Sequence, residues 1–206
     1  MFDKWDGGSR LATRISDIQM KQNLDYTNPD EAVNFRDVGE FINLISGKTM
    51  LPAGRVFRGG TIKAIVDPSV IGNPKTIFNL QRGLDHPLPG ICNLHFPISN
   101  DYETYETSTP GVRAWLKAIV QTIELGIEFP LYVHCLSGRD RTGVVVAALL
   151  RICGADEEYI VEEYHLSVGT EKRKHIHIAL EGFRSVDEYF GGIDVAKVRA
   201  TLLNMG

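Results

Sequence analysis

The chain has 206 residues, of which 43% are hydrophobic and 23% are charged, as in an ordinary soluble globular protein. Its 22 Lys and Arg residues and 26 Asp and Glu residues give a formal net charge of -4, which argues against a nucleic-acid partner bound through a global positive field. No run approaches the ~20 apolar residues of a transmembrane segment. Cys92, Cys135 and Cys153 are too few and too widely spaced for a disulfide framework.

The N-terminal region is polar and weakly patterned, and it contains one possible short helix, Arg10 to Met20. Because repeats and Pro-rich linkers are absent from the sequence, we predict an N-terminal extension over residues 1–30 and one domain over residues 31–206. The first ten residues, MFDKWDGGSR, lack the apolar run of a signal peptide. A cytoplasmic location is therefore expected, although export by a route other than the Sec pathway would leave no such mark.

Four short apolar runs bounded by turn-forming residues are typical of β-strands. They are Arg55 to Arg58, Thr76 to Leu80, Asn93 to Ile98 and Leu131 to His134. The third run contains Pro97, which cannot donate a hydrogen bond to a neighbouring strand, so this strand is expected to end near it.

The C-terminal half is predicted to be mostly helical, with Gly126 ending the first helix and Asp156 capping the third. The expected helices are Val112 to Leu125, Thr142 to Cys153, Glu157 to Val168, His175 to Phe190, and Asp194 to Met205. Strands followed by helices that pack on them predict an α/β domain.

Residues 130–143 read PLYVHCLSGRDRTG, an apolar strand followed by a short loop and the start of a helix. Such a loop directs several backbone N–H groups at one point, and the helix N-terminus adds positive potential, so the segment is an expected anion site. Arg141 can grip two phosphate oxygens with its planar guanidinium. The predicted phosphate-binding residues are Leu136, Ser137, Gly138, Arg139, Asp140 and Arg141.

Cys135 opens this loop and is the expected nucleophile, because a thiolate is favoured at a helix N-terminus beside cationic groups. Its attack on a bound phosphate ester would give a thiophosphate intermediate that water then hydrolyses. His134 is expected to orient the Cys135 backbone, and Thr142 could donate a hydrogen bond to the sulfur as it leaves.

The segment HCLSGRDRTG resembles the HCxxGxxRTG signature of cysteine-based protein tyrosine and dual-specificity phosphatases. Asn34 to Gly39 and Arg55 to Gly59 are further similar to the bacterial and fungal tyrosine phosphatases with a GKDRTG-type loop. The resemblance runs from about residue 33 to residue 170. It implies a tyrosine-phosphatase-like fold, a central mixed sheet flanked by helices, that removes phosphate from phosphotyrosine, and possible activity on phosphoserine and phosphothreonine. It also implies that no metal or other cofactor takes part.

Two positions depart from that branch of the family. Arg139 stands where Lys is usual, which keeps the charge. The sequence Asn79-Leu80-Gln81-Arg82 stands where the branch tends to have Asp-Leu-Arg, so an acidic residue is missing there.

Three aspartates compete for the role of general acid, which must protonate the leaving oxygen. Asp101 lies 34 residues before Cys135 and looks like the acid on the mobile loop of dual-specificity phosphatases. Asp140 lies inside the anion loop, where the GKDRTG branch can use it. Asp85 is the third candidate. Asp101 is preferred over Asp140, and Asp140 over Asp85.

Other functions stay open at this stage. Lipid phosphatases of this superfamily often carry two basic residues inside the loop. This loop has only Arg139 besides Arg141, which makes a phosphoinositide phosphatase less favoured than a protein phosphatase but keeps it as an alternative. A non-catalytic phosphate-binding module and a sulfur-transfer domain are further alternatives, whereas a nucleotide-binding GxxxxGK[ST] loop is absent from the sequence. The expected partner is thus a phosphoprotein, with a phosphoinositide as the variant.

Basic residues outside the loop favour structural roles. Arg36 and Arg58 are expected to form buried ion pairs, for instance with Asp37. His175 and His177 are expected on the surface, since their spacing suits a metal poorly. The Lys172-Arg173-Lys174 run is interpreted as a solvated turn, with contact to a second phosphate or a lipid head group as the alternative.

Overall fold

One five-stranded sheet organises the computed structural model, which describes residues 25–170 and 174–204. Its strands are β1 (Arg36–Asp37), β2 (Val56–Gly59), β3 (Thr76–Asn79), β4 (Cys92–His95) and β5 (Leu131–His134). Their spatial order is β1-β2-β5-β3-β4, with β1 antiparallel to β2 and all other neighbours parallel. The sheet is therefore mixed, as predicted.

Seven α-helices and one 3₁₀-helix surround the sheet within the described residues. The α-helices are α1 (Val38–Ser46), α2 (Pro110–Leu125), α3 (Asp140–Ile152), α4 (Glu157–His165), α5 (Lys174–Gly182), α6 (Val186–Tyr189) and α7 (Val195–Leu203), and the 3₁₀-helix spans Pro68–Ile71. None of the helices in this part of the chain has the length and apolar character needed to cross a membrane.

The two faces of the sheet are covered differently, because successive strand side chains point to opposite sides. In β5, Leu131 and Val133 join the large core cluster to which all seven α-helices contribute. Tyr132, between them, joins a smaller cluster built from the 3₁₀-helix and loops, which includes Ile71 and Ile77. The predicted α/β class and the helical covering of the sheet are confirmed.

Several predicted boundaries move. The helix expected over His175 to Phe190 is two helices, because the backbone at Ser185 is extended. The helix expected to reach Val168 ends at His165, where the chain tightens into a turn with Ser167 N–H bonded to the Tyr164 carbonyl at 3.1 Å. The expected helix Arg10 to Met20 lies outside the described residues.

The segment Asn34 to Gly39 forms β1 and the start of α1, which the apolar pattern did not predict as elements. Asp37 caps α1 by accepting a hydrogen bond from the Glu40 N–H at 3.2 Å. A strand of two residues is too short to leave a periodic pattern. β1 is defined by its pairing with β2, in which Arg36 pairs with Arg58 and Asp37 with Phe57.

The carboxyl ends of three parallel strands meet at one edge of the sheet. His134 is in register with Gly59 on one side and with Asn79 on the other. Ligands of open α/β sheets bind at this edge, where loops from neighbouring strands converge. The loop of residues 135–139 leaves β5 here and enters α3.

Candidate active site

Three successive carbonyl groups of the 135–139 loop are held from outside. The Leu136 carbonyl accepts a hydrogen bond from the Thr61 N–H at 3.0 Å, and the Ser137 carbonyl accepts one from Asn34 Nδ2 at 2.8 Å. The Gly138 carbonyl accepts one from Arg58 Nη2 at 2.9 Å. Because a trans peptide is planar, the N–H group of each of these peptide units points the opposite way, into the loop. The amides thus form a ring that is suited to an anion.

Gly138 is required by the close approach of the loop to β2. Its φ of +67° lies in the left-handed region, and a Cβ atom there would come within 2.6 Å of the Gly60 nitrogen. A side chain at this position would push the loop away from the strand. Glycine at position 138 therefore lets the loop pack directly against the end of β2.

A buried ion network fixes the loop to the rest of the domain. Glu163 Oε1 accepts from Arg36 Nε at 2.8 Å, and Glu163 Oε2 accepts from Arg58 Nη1 at 2.6 Å. Ser167 Oγ accepts from both arginines. Burial disfavours the charged carboxylate, but the two guanidinium groups outweigh it and hold the pKa of Glu163 below its usual range. The ion pairs expected for these arginines therefore exist, but their partner is Glu163, not Asp37.

Cys135 and Arg141 face one open cavity of about 620 Å³ at the carboxyl edge of the sheet. Cys135 lines the cavity but is buried, with 5% of the residue exposed. Arg141 donates to the Leu80 carbonyl at 3.3 Å and to Asn100 Oδ1 at 2.6 Å. These contacts use two of its five N–H groups, so others are available to a bound oxyanion. Tyr26, from the predicted N-terminal extension, also lines the cavity.

His134 is fully buried behind the nucleophile. Its Nε2 atom is 2.8 Å from Asp85 Oδ2, and its Nδ1 atom is 3.4 Å from the Gln81 side-chain nitrogen. The tautomer that satisfies both contacts donates from Nε2 to Asp85 and accepts at Nδ1 from Gln81. This arrangement fixes the His134 ring at the end of β5 and accounts for Asp85, the third acid candidate, as its partner.

Thr142 is fully buried, and its hydroxyl has no hydrogen-bond partner among the described residues. A buried hydroxyl is costly to leave unpaired, so this group is available to a partner that the free protein does not supply. The hydrogen bond predicted from Thr142 to the Cys135 sulfur is not formed in this structure and stays a prediction.

The structure separates the two main acid candidates. Asp140 lines the cavity, and its carboxylate accepts a hydrogen bond from the Tyr105 hydroxyl at 2.7 Å and pairs with Arg139 at 3.0 Å. Asp101 is exposed and accepts from the Ser99 hydroxyl at 2.7 Å. Asn100, next to Asp101, lines the cavity, but Asp101 does not. Among the described lining residues, Asp140 is the one with a carboxylate.

Tyr105 and Tyr164 extend the contacts of Asp140 into the core. Their hydroxyl oxygens are 2.6 Å apart, and burial is the main cause that raises the pKa of each phenol. Both therefore stay protonated at neutral pH, and Tyr164 donates to Tyr105 while Tyr105 donates to Asp140. The Asp140 carboxylate is held in one orientation by Tyr105 and Arg139 together.

Residues that hold the site were largely missed by sequence reasoning. Glu163 lies three positions after the buried Ile160 on α4, so a carboxylate on the apolar side of this helix was an available signal. Asn34 has a φ of +56°, a conformation that asparagine tolerates better than most residues. Tyr105, in a polar stretch with no periodicity, offered no signal.

The histidine and basic residues outside the loop do not form a metal site among the described residues. His177 is half exposed and pairs with Glu157 at 2.8 Å. Residues 172 and 173 lie outside the described part of the chain. Within residues 25–170 and 174–204, no group of three or more His, Cys, Asp or Glu side chains is arranged to hold a metal ion.

Two relatives are similar to this chain in sequence. The OCA1 protein of the yeast Scheffersomyces stipitis, which is named provisionally as a tyrosine-protein phosphatase, is 27% identical over 190 residues, covering 80% of this chain and 88% of the relative. The triple specificity protein phosphatase PtpB of Mycobacterium tuberculosis is 36% identical over 67 residues, which cover 32% of this chain and 23% of PtpB.

Two solved structures align with this chain at low sequence identity. The catalytic domain of the PP-IP phosphatase SIW14 from S. cerevisiae aligns with a TM-score of 0.48 at 14% identity, covering 65% of this chain and 88% of that one. P. aeruginosa TpbA aligns with a TM-score of 0.47 at 22% identity, covering 73% of this chain and 88% of TpbA.

The family model described as the tyrosine phosphatase family matches residues 96–203, just over half of the chain. The match includes the 135–139 loop and the helices that follow it, while Asn34 to Gly39 lies outside it. The resemblance stated from the loop motif is confirmed. The chain belongs to the tyrosine phosphatase family and is a cysteine-dependent phosphatase.

Proposed function

We propose that this protein removes phosphate from phosphotyrosine in protein substrates, with Cys135 as the nucleophile and Arg141 as the phosphate-binding side chain. The observation that carries the proposal is the ring of inward N–H groups, held by Asn34, Thr61 and Arg58, around the cavity in which Cys135 and Arg141 meet. Backbone donors fixed in this way stabilise the charge on a phosphoryl group as it is transferred.

The proposed reaction has two steps. In the first, the Cys135 thiolate forms the S–P bond while the bond from phosphorus to the leaving oxygen breaks, and a carboxylic acid protonates that oxygen. In the second, water attacks phosphorus, the S–P bond breaks, and the carboxylate accepts the proton of the water. Inorganic phosphate leaves, and the Cys135 thiolate is restored.

Asp140 is the general acid that the geometry favours. Its carboxylate lines the same cavity as Cys135, and Tyr105 and Arg139 hold its orientation. Positioned donors of this kind contribute roughly 10²- to 10⁴-fold to rate. Asp101, which the sequence pattern preferred, is the alternative acid, and it would need to leave the Ser99 hydroxyl to reach a substrate.

Paired asparagine variants discriminate between the two acids. With phenyl phosphate, whose leaving group is poor, Asp140→Asn is expected to lower kcat by about 10²-fold. With p-nitrophenyl phosphate the same variant is expected to change kcat little, because a good leaving group needs no proton. Asp101→Asn is expected to leave both rates near those of the wild type. The reverse pattern would assign the role to Asp101.

Phosphotyrosine fits the entrance of the cavity better than a small alkyl phosphate. Leu136, in the loop itself, is 57% exposed, and Tyr26 lines the same opening. An aromatic leaving group can pack against these apolar surfaces. OCA1 is named provisionally as a tyrosine-protein phosphatase, which supports this substrate, whereas PtpB is named for triple specificity, which does not single it out. A phosphoinositide substrate is the alternative, and activity on phosphotyrosine peptides against phosphoinositide vesicles distinguishes them.

Turnover of p-nitrophenyl phosphate in the presence of a chelator is the direct test of the activity. The wild type is expected to release p-nitrophenol in EDTA. Vanadate is expected to inhibit competitively, because it resembles the pentacoordinate transition state of phosphoryl transfer. Release that requires an added divalent cation, or that is insensitive to vanadate, would contradict the proposed mechanism.

We also propose a cytoplasmic location and a phosphatase domain that spans residues 31–206. All three cysteines of the chain are free thiols, which suits a reducing compartment. Tyr26 lines the cavity, so the preceding extension contributes to the entrance of the site.

A further inference from the structure

A second cavity of about 420 Å³ adjoins the catalytic cavity. Gln81 and Gly83 line both, so the two cavities share one wall. The second cavity lies between the loop after β2 and the loop after β3. Two hydrogen bonds join these loops: the His86 ring nitrogen lies 2.8 Å from the Ile65 carbonyl, and Gln81 Nε2 donates to Thr61 Oγ1 at 3.2 Å.

Two of the apolar side chains that line this cavity are highly exposed, among polar neighbours. Val66 is 79% exposed and Leu84 is 82% exposed, and they stand on opposite loops. Large apolar side chains exposed together in a depression mark a binding surface. The buried Ile65 continues this apolar surface into the cavity.

The charges in the cavity do not favour an anion. Lys63 is its one lysine, and the Asp85 carboxylate lies on the same wall. Asp85 is already paired with His134, and it accepts a further hydrogen bond from Asn93 at 3.2 Å. A lysine opposed by a carboxylate provides little net potential for a second phosphate. In this otherwise mostly polar lining, Ile65, Val66 and Leu84 offer contacts to an apolar side chain.

The position of the cavity relates it to the substrate of the catalytic site. Consecutive Cα atoms of an extended peptide are 3.80 Å apart, so a side chain one to three residues from a phosphorylated tyrosine reaches a cavity that shares a wall with the catalytic one. The continuity through Gln81 and Gly83 therefore places the neighbouring residues of a protein substrate over this cavity.

We infer that this second cavity is a substrate subsite that accepts an apolar side chain located one to three residues from the phosphotyrosine. The inference rests on the proposed phosphatase function and adds sequence selectivity to it. Val66 and Leu84 contact that side chain from the two loops. Substrates that lack a peptide bind in the catalytic cavity alone.

Matched phosphotyrosine peptides test the subsite. In each peptide a single Leu occupies one of the three positions before or after the phosphotyrosine, and the reference peptide carries Ser there. The wild type is expected to favour Leu at one of these positions by about tenfold in kcat/KM, the discrimination that one apolar side chain provides in a pocket. Val66→Ser and Leu84→Ser are each expected to remove most of that preference.

Two controls make the result specific. The variant Leu125→Ser replaces a leucine at the end of α2 that lies outside both cavities and is 79% exposed, as Val66 is. This variant should keep the preference for the Leu peptide. All three variants should turn over p-nitrophenyl phosphate at the wild-type rate, which also shows that they are folded. Equal kcat/KM for all peptides with the wild type, or a preference that survives in both Val66→Ser and Leu84→Ser, would overturn the subsite alone. Failure of the wild type on p-nitrophenyl phosphate would overturn the proposed function, and the subsite with it.

Discussion

Cys135→Ser is expected to abolish turnover of p-nitrophenyl phosphate, with a loss of at least about 10⁴-fold in kcat. A serine hydroxyl is protonated at neutral pH, and no side chain in the described cavity lining is a histidine that could deprotonate it. The amide ring and Arg141 are unchanged in this variant, so binding of vanadate or phosphate is expected to remain close to that of the wild type. Steady-state kinetics and calorimetric titration measure the two effects separately.

Cys92→Ser is the matched control, because Cys92 is exposed on β4, at the edge of the sheet. It should keep full activity. Cys153 is no alternative nucleophile, since burial raises the pKa of its thiol to about 12. Turnover that survives in Cys135→Ser would remove the cysteine mechanism, and loss of phosphate binding together with activity would mean that the variant disturbs the loop itself.

Glu163→Gln is expected to lower the free energy of unfolding by about 3–5 kcal/mol, because it removes the charge that compensates two buried guanidinium groups. That is a large fraction of the roughly 5–15 kcal/mol by which a domain is stable. Arg58 also donates to the Gly138 carbonyl, so movement of this guanidinium disorders the amide ring and lowers kcat as well. Urea unfolding and p-nitrophenyl phosphate kinetics measure the two consequences.

The same carboxylate predicts a pH dependence. The pKa of Glu163 in the folded protein is below its ordinary value of 4.5, since Arg36 and Arg58 outweigh the effect of burial. Its contribution to stability is therefore complete above the unfolded-state pKa and is lost as the pH falls through the lower folded-state pKa. The difference in unfolding free energy between wild type and Glu163→Gln should be largest above about pH 5 and should shrink as the solution is acidified.

The neighbouring Glu162→Gln is the control for this variant, because Glu162 is exposed on the same helix. It should change the unfolding free energy by less than about 0.5 kcal/mol. A loss for Glu163→Gln no larger than that of Glu162→Gln would show that the ion network does not support the domain. A difference that does not depend on pH would show that the lost charge is not its cause.

Local patterns predicted most of the elements that carry the site. Leu131 to His134 was predicted as a strand with the bounds that the structure shows, because a short apolar run between Pro130 and a Gly-containing loop has few other conformations. The nucleophile, the loop and Arg141 stand within seven consecutive residues, so their proximity follows from the chain itself. The helix expected over His175 to Phe190 shows the limit, since one helix ends at Gly182 and the next begins after Ser185 within that predicted range.

The sequence by itself determined the chemistry of this protein, because Cys135, Gly138 and Arg141 lie on one strand-loop-helix segment whose geometry is local. Only the tertiary structure decided what holds that segment and what acts beside it. Glu163 reaches Arg58 across 105 positions of sequence, and Tyr105 reaches Asp140 across 35. Such contacts depend on how distant segments pack together. Even where one partner leaves a local signal, as Glu163 does on α4, the sequence pattern does not identify the other partner.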